Sequence, residues 1–329
     1  MSKKRLYYFD NAKFILISLV LVGHFFEPIL EQDALARSLY ILIYTFHMPA
    51  FIFIAGYFTK LNSDFRFYLI KNIRKLIIPY FIFQLLYLIF NSVLNYSYFP
   101  FTFKKPFWIL WFLLSLFFWR LILYLLNKSK IPPAAILAAA LVISLLAGFF
   151  DTFGRFYSTS RTAVFFPFFM LGFYFKSYNT ASRLRQKFNY LKQSSVLIIY
   201  GLELIIIYLF LRDLNLEILY GAISYARLGL SPLKALFNRA FFLSTAVINL
   251  FLFFTAVPFQ RTLISSRGAR SFYPYLLHGF IVIFLDKFDF FNFLSPGLNF
   301  IIYLLLGLFF SWLLSGRKSR DIFKYILEF

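Results

Sequence analysis

Ten apolar stretches, each long enough to cross the hydrocarbon of a bilayer, follow one another along this chain. They lie near residues 11–30, 38–58, 76–95, 107–126, 131–150, 162–178, 195–211, 237–257, 272–289 and 297–315. At about 1.5 Å per helical residue each reaches across roughly 30 Å of hydrocarbon, some with little to spare. The composition leaves no aqueous alternative: 61% of the 329 residues are hydrophobic, 14% are charged and the mean hydropathy is +0.75. A soluble chain is nearer half apolar and a quarter charged, and no soluble core could hide this much apolar surface. The 51 Phe and 23 Tyr suit lipid-facing surfaces and interfacial belts. The expected fold class is all-α, a polytopic integral membrane protein of about ten transmembrane helices. It is expected to form a single domain over residues 1–329, with no room for a separate soluble domain.

The charges give an orientation. With the N-terminus inside, the loops alternate, and 22 Lys and Arg fall inside against 10 outside, which leaves Lys13 and Arg120 within spans. This asymmetry predicts N-in and C-in. In a soluble protein a net charge of +21 would point to nucleic acid. Here the cations sit in short loops between apolar runs, where topology and anionic lipid headgroups account for them, so no nucleic-acid partner is expected. Met1 to Arg5 and the apolar stretch after them resemble a signal peptide, but no small-residue cleavage site follows and His24 interrupts the run, so an uncleaved first helix is expected. The longest stretch outside the spans, 212–236, is placed outside and is long enough to cover a site there. The chain has no cysteine, which excludes disulfides, thiolate metal sites, an enzyme-bound thioester and palmitoyl anchors. No phosphate-binding glycine loop, nucleotide fingerprint or serine elbow is present, which argues against an ATP-driven pump.

Polar residues inside the spans carry the functional signal, because ionisable groups there are costly and mark internal cavities. All three histidines, His24, His47 and His278, fall within spans, as do Lys13 and Glu203. Lys13 and His24 are eleven residues apart, so they differ by about 20° around the helix and lie roughly 16 Å apart along it, forming one polar stripe. Lys13 can also pair with Asp10, three residues earlier. Gly23 would let another backbone approach beside His24. Tyr40 and Tyr44 share a face with His47, and Pro49 frees a carbonyl and can kink the helix. For His47 a structural hydrogen bond and a catalytic role are both open. His278 is placed nearer the cytoplasmic side, as a structural or substrate-positioning residue. Three histidines on separate helices lack zinc-ligand spacing, and no metal is expected. Lys71, Arg74 and Lys75 share a helical face at the cytoplasmic side, open either to lipid headgroups or to a soluble phosphorylated cofactor.

These segments, taken in order, resemble the membrane-bound acyltransferase-3 family, and in particular its fucose 4-O-acetylase-like bacterial branch. The resemblance covers nearly the whole chain. Asp10-Asn-Ala-Lys13 and His24 match the family's basic residue, ten residues, His signature, with Lys in place of the commoner Arg. Tyr44-Thr-Phe-His-Met-Pro-Ala-Phe-Ile-Phe-Ile-Ala-Gly56-Tyr resembles its Phe-His-Met-Pro stretch. Further matches are Lys71 to Tyr80, Trp111-Phe-Leu-Leu-Ser-Leu, the run from Arg161 to Gly172, and Tyr275-Leu-Leu-His278. The appended extracytoplasmic esterase-like domain of some members is absent from the sequence.

The resemblance implies transfer of an acyl group, usually acetyl, from cytoplasmic acyl-coenzyme A to a hydroxyl of a glycan or lipid-linked sugar at a bacterial plasma membrane. On that basis His24 is assigned as general base and His47 as a second histidine that orients the acyl group or His24. Lys13, Lys71, Arg74 and Lys75 fall on the acyl-CoA donor side, and Trp111, Arg161 and His278 on the acceptor side, a core contact being an equal reading of Trp111. The competing expectations are a transporter or flippase for a lipid-linked saccharide and a silent component of a polysaccharide assembly complex. No inverted repeat or paired broken helix supports transport.

Overall fold

In a computed structural model the chain is helical, with no strand among the described residues, which are 7–95, 97, 100–151, 154–178, 192–288 and 296–327. Lipid enforces this on apolar runs, because backbone polar groups in hydrocarbon must be paired within the segment itself. In chain order the helices are α1 (Tyr7–Phe26), α2 (Ala34–Phe58), α3 (Phe65–Asn72), α4 (Ile78–Leu94), α5 (Trp111–Leu126), α6 (Pro133–Leu146), α7 (Thr159–Tyr178) and α8 (Gln193–Ile206). There follow α9 (Glu217–Tyr220), α10 (Pro232–Ala256), α11 (Ser265–Gly268), α12 (Phe272–Lys287), α13 (Pro296–Leu314) and α14 (Arg317–Leu327).

Among the described residues, seven helical stretches are long and apolar enough to cross a membrane: Tyr7–Ile29, Ala34–Phe58, Phe65–Leu94, Trp108–Leu126, Gln193–Leu211, Pro232–Ala256 and Gly297–Leu314. The apolar stretches 131–150, 162–178 and 272–289 fall on α6, α7 and α12, which are shorter or, as in α7, richer in polar residues. The basic stretch around Arg185, expected to be cytoplasmic, lies outside the described residues.

The chain divides into two compact units, one of Met1–Phe51, Asn179–Leu214 and Thr245–Phe323, the other of Ile52–Tyr178, Asn215–Ser244 and Lys324–Phe329. In the first, α1 packs against α11, α12 and α13. The Asp10-Asn11 pair explains how α1 is seated. Asn11, fully buried, donates to the carbonyls of Pro258 and Gln260 (2.8 Å each) and accepts from Thr262 (2.8 Å) and Ser265 (2.6 Å). Its amide is thereby saturated on both sides. Gly268 lies against the Asp10 carbonyl, where any Cβ would overlap it, and a Cβ at Gly307 would meet the Val22 Cα at 2.8 Å. Ser18 and Ser311 hydroxyls meet at 2.9 Å between α1 and α13. Asp33 starts α2 by accepting from the N–H groups of Leu35 and Ala36, both at 2.9 Å.

In the second unit, α7 packs against α5 and α6. Trp119 Nε1 donates to the Thr162 carbonyl (2.7 Å), the Ser115 and Thr162 hydroxyls meet at 2.8 Å, and Ser144 donates to the Val164 carbonyl (2.8 Å). Two glycines interlock α7 with the last turns of α2: a Cβ at Gly56 would overlap the Phe169 carbonyl, and one at Gly172 the Phe53 carbonyl. Between α3 and α4 the α-helical register expected for Lys71 to Lys75 is interrupted by a π turn, Ile73–Ile77. Pro79 has no N–H to offer the Lys75 carbonyl, and the Ile78 N–H reaches back five residues to Ile73.

Candidate active site

Where α1 gives way to the short 3-10 turn Glu27–Ile29, His24 and Glu27 lie three residues apart on one face, and His24 Nδ1 is 2.7 Å from Glu27 Oε1. From α2, the Tyr44 hydroxyl is 3.4 Å from both His24 Nδ1 and Glu27 Oε1, and the Tyr40 hydroxyl is 3.5 Å from the same oxygen. The rings of Tyr40 and Tyr44 stack at 3.8 Å, and Tyr44 meets His47 edge-on at 4.5 Å, as the spacing within α2 requires. The His278 ring, from α12, stacks on His24 with centroids 5.2 Å apart. His47 and His278 are buried, whereas the side chains of His24 and Glu27 keep 13% and 32% exposure.

The hydrogen bonds fix the imidazole tautomers. His47 Nδ1 lies 2.8 Å from the Ile43 carbonyl and His278 Nδ1 2.7 Å from the Pro274 carbonyl, each one helical turn back. A carbonyl can only accept, so both neutral rings carry their proton on Nδ1 and present Nε2 as the basic nitrogen. His24 has the same arrangement with the Glu27 carboxylate as acceptor. The first unit thus gathers three imidazoles, a carboxylate and two phenols around the end of α1.

His278, expected nearer the cytoplasmic side than His24, lies beside it. α12 is only 16 residues long, and counting from the edge of an apolar run misjudges where such a helix begins. Gly23 makes room for the Tyr44 ring, at 2.9 Å from a Cβ there, where a backbone approach was expected. Lys13 Nζ pairs with Asp10 Oδ1 at 2.8 Å. Glu203 accepts from Asn249 Nδ2 (2.7 Å), which also reaches the Thr45 hydroxyl at 3.1 Å, so this intramembrane carboxylate ties α8 to α10.

The second unit brings Arg161 and Trp111 together. Gln84 of α4 donates to the carbonyls of Thr102 (2.8 Å) and Lys105 (2.9 Å) and accepts from the Phe107 N–H (2.7 Å), which sets the loop that delivers Trp111 to the start of α5. The Arg161 guanidinium lies 4.9 Å over the Trp111 ring, and its Nε donates to the Tyr220 carbonyl at 3.3 Å. Lys71, Arg74 and Lys75 are all exposed around the π turn, with Asn72 and Leu76 buried. Arg120 of α5 holds the turn by donating to Asn72 Oδ1 at 2.9 Å.

A family model described as an acyltransferase domain, acyltransferase-3, matches residues 6–316 and so takes in every one of these side chains. The chain belongs to the acyltransferase-3 family. It is a membrane acyltransferase. No curated protein and no solved structure matches it. Among the described residues of this acyltransferase no group of three or more histidine or acidic side chains is arranged to hold a metal ion. Two residues in the acyltransferase escaped the sequence reading. Glu27 was visible only as a carboxylate at a span edge, although its i+3 spacing from His24 is a helical-face signal. Arg239 was counted with the outside loop and is instead buried within α10.

Proposed function

We propose that this protein is an O-acetyltransferase of the fucose 4-O-acetylase-like branch, working in a bacterial plasma membrane with both ends in the cytoplasm. It moves acetyl from acetyl-coenzyme A to a hydroxyl of a glycan or lipid-linked sugar. The observation that carries this reading is the His24–Glu27 pair at 2.7 Å, a histidine held by a carboxylate inside a membrane helix of an acyltransferase. The donor supplies the acyl group as a thioester. His24 Nε2 accepts the proton of the acceptor hydroxyl as its oxygen attacks the acyl carbonyl, Glu27 stabilises the resulting imidazolium, and the proton passes to the departing thiolate. Tyr40 and Tyr44 hold the Glu27 carboxylate, and His47 and His278 pack beside Tyr44 and His24. The exposed cations Lys71, Arg74 and Lys75 suit the donor's phosphates, with Lys13 as a further positive charge, while Trp111 and Arg161 suit a sugar acceptor.

The experiment uses an advantage of the sequence. With no cysteine in the chain, a thiol reagent added to purified protein reads only the coenzyme A that is released. Wild-type protein with acetyl-coenzyme A and extracted envelope saccharides should release thiol and add an acetyl-sized mass to the saccharide. His24→Gln, which can still hydrogen-bond, should be slower by about 10²- to 10⁴-fold. A His24→Gln rate close to wild type would remove His24 as the base and leave His47 as the next candidate. Saccharide crossing proteoliposomes with no thiol released would favour the transport reading.

A further inference from the structure

Arg239, about two turns into α10, is 2% exposed, and among the described residues its Nε and Nη1 have no hydrogen-bond partner. A guanidinium keeps its charge, and a buried cation without an anion is strongly unfavourable. Among the described residues of the second unit no carboxylate pairs with it. The three carboxylates described in the second unit are engaged elsewhere: Asp64 accepts from the Arg66 and Phe67 N–H groups at the start of α3, and Glu217 pairs with Arg155 at 3.0 Å. Asp151 accepts from the Ser224 hydroxyl and lies 3.9 Å from Arg227.

The surroundings aim a second cation at the same place. Nη1 of Arg239 rests against Gly221, where a Cβ would sit 3.2 Å from it, and Gly221 adopts a left-handed φ of +59° that favours glycine. Arg161 Nε donates to the carbonyl of the preceding residue, Tyr220, and the Ser160 hydroxyl holds the Gly221 carbonyl at 2.7 Å. Two guanidiniums therefore flank one peptide unit, each against an aromatic face, Arg239 at 5.7 Å from Tyr225 and Arg161 at 4.9 Å from Trp111. An oxyanion at this peptide would give the Arg239 fork the partner it lacks, with the Arg161 charge beside it, and the guanidinium fork matches carboxylate and phosphate geometry.

We propose that Arg239 and Arg161 bind an oxyanion carried by the saccharide acceptor, so that the acceptor is an acidic sugar, either a uronate or a glycosyl phosphate. The word acceptor rests on the acyl-transfer reading; the binding site does not. The test is thermal unfolding of the full-length protein in nanodiscs, titrated with glucuronate, glucose 1-phosphate, glucose and inorganic phosphate. Glucuronate or glucose 1-phosphate should raise the melting temperature in a saturable way while glucose does not, and whichever acts names the group as carboxylate or phosphate. Arg239→Gln should abolish the shift. Arg239→Lys, which keeps the charge and loses the fork, should weaken apparent binding about tenfold or more, as loss of a charge-assisted hydrogen bond would. If Arg239→Gln does not fold, the Arg239→Lys result decides. No shift with either anionic sugar, an equal shift with glucose or with inorganic phosphate, or full affinity in a folded Arg239 variant overturns the proposal. Anion binding that persists in a protein with no thiol release would sink the transfer reading and leave the site standing.

Discussion

Glu27 changes what His24 can do. A histidine alone in a membrane helix is ambiguous between interhelical glue and chemistry, whereas one that donates Nδ1–H to a carboxylate has a fixed tautomer and orientation. Glu27→Gln keeps an acceptor at that position and removes its charge. The difference between a charge-assisted and a neutral hydrogen bond is about 1–1.5 kcal/mol, so the rate of thiol release should fall about tenfold with donor KM unchanged. A comparable loss in membrane insertion with the specific rate intact would mean that Glu27 only builds the fold. The residues within spans were legible because lipid makes any ionisable group conspicuous, and His24, His47, Tyr44 and Lys13 stood out for that reason. Glu27 and Arg239 were not, because each sits near the end of an apolar run, where charge is ordinary and burial depends on loops that no periodicity describes.

At the level of elements, the helices were readable from hydropathy, while their ends and their defects were not. α1 is already helical at Tyr7, before its apolar run, and there Asn11 and Gly268 fasten it to the segment around 258–268, a contact between distant parts of the chain. The π turn at Ile73–Ile77 was equally hidden, since a wide turn leaves the apolar count unchanged. Its exposed cations give the second prediction: Lys71→Gln with Arg74→Gln should raise the acetyl-coenzyme A KM by about tenfold or more, the loss of one or two charge-assisted phosphate contacts, and leave acceptor KM near wild type. An unchanged donor KM with poor insertion would assign the cluster to topology. The α2–α7 interlock gives the third. Gly172→Ala forces a methyl against the Phe53 carbonyl and should destabilise the protein by about 1–3 kcal/mol, read as a lower melting temperature in detergent.

For the whole molecule, the helical class followed from apolar content alone, and the fourth prediction tests the orientation that charge adds to it. Single cysteines introduced by Arg185→Cys and Lys71→Cys should resist an impermeant thiol reagent in intact cells, and those from Lys105→Cys and Asp213→Cys should react, as the excess of inside Lys and Arg requires. Labelling at position 185 in intact cells would reverse the assignment. The grouping of the chain into two interleaved units was beyond the sequence, because it depends on which helices touch and the apolar runs are too alike to say. A last consequence concerns how such chains diverge. A π turn holds one residue more than the α turn it replaces, and the described residues contain two, at Ile73–Ile77 and Ile207–Leu211. A single-residue deletion at either place can be absorbed by tightening the turn. Elsewhere in a span it would rotate every later side chain by about 100°, so length changes among relatives should collect at these two turns.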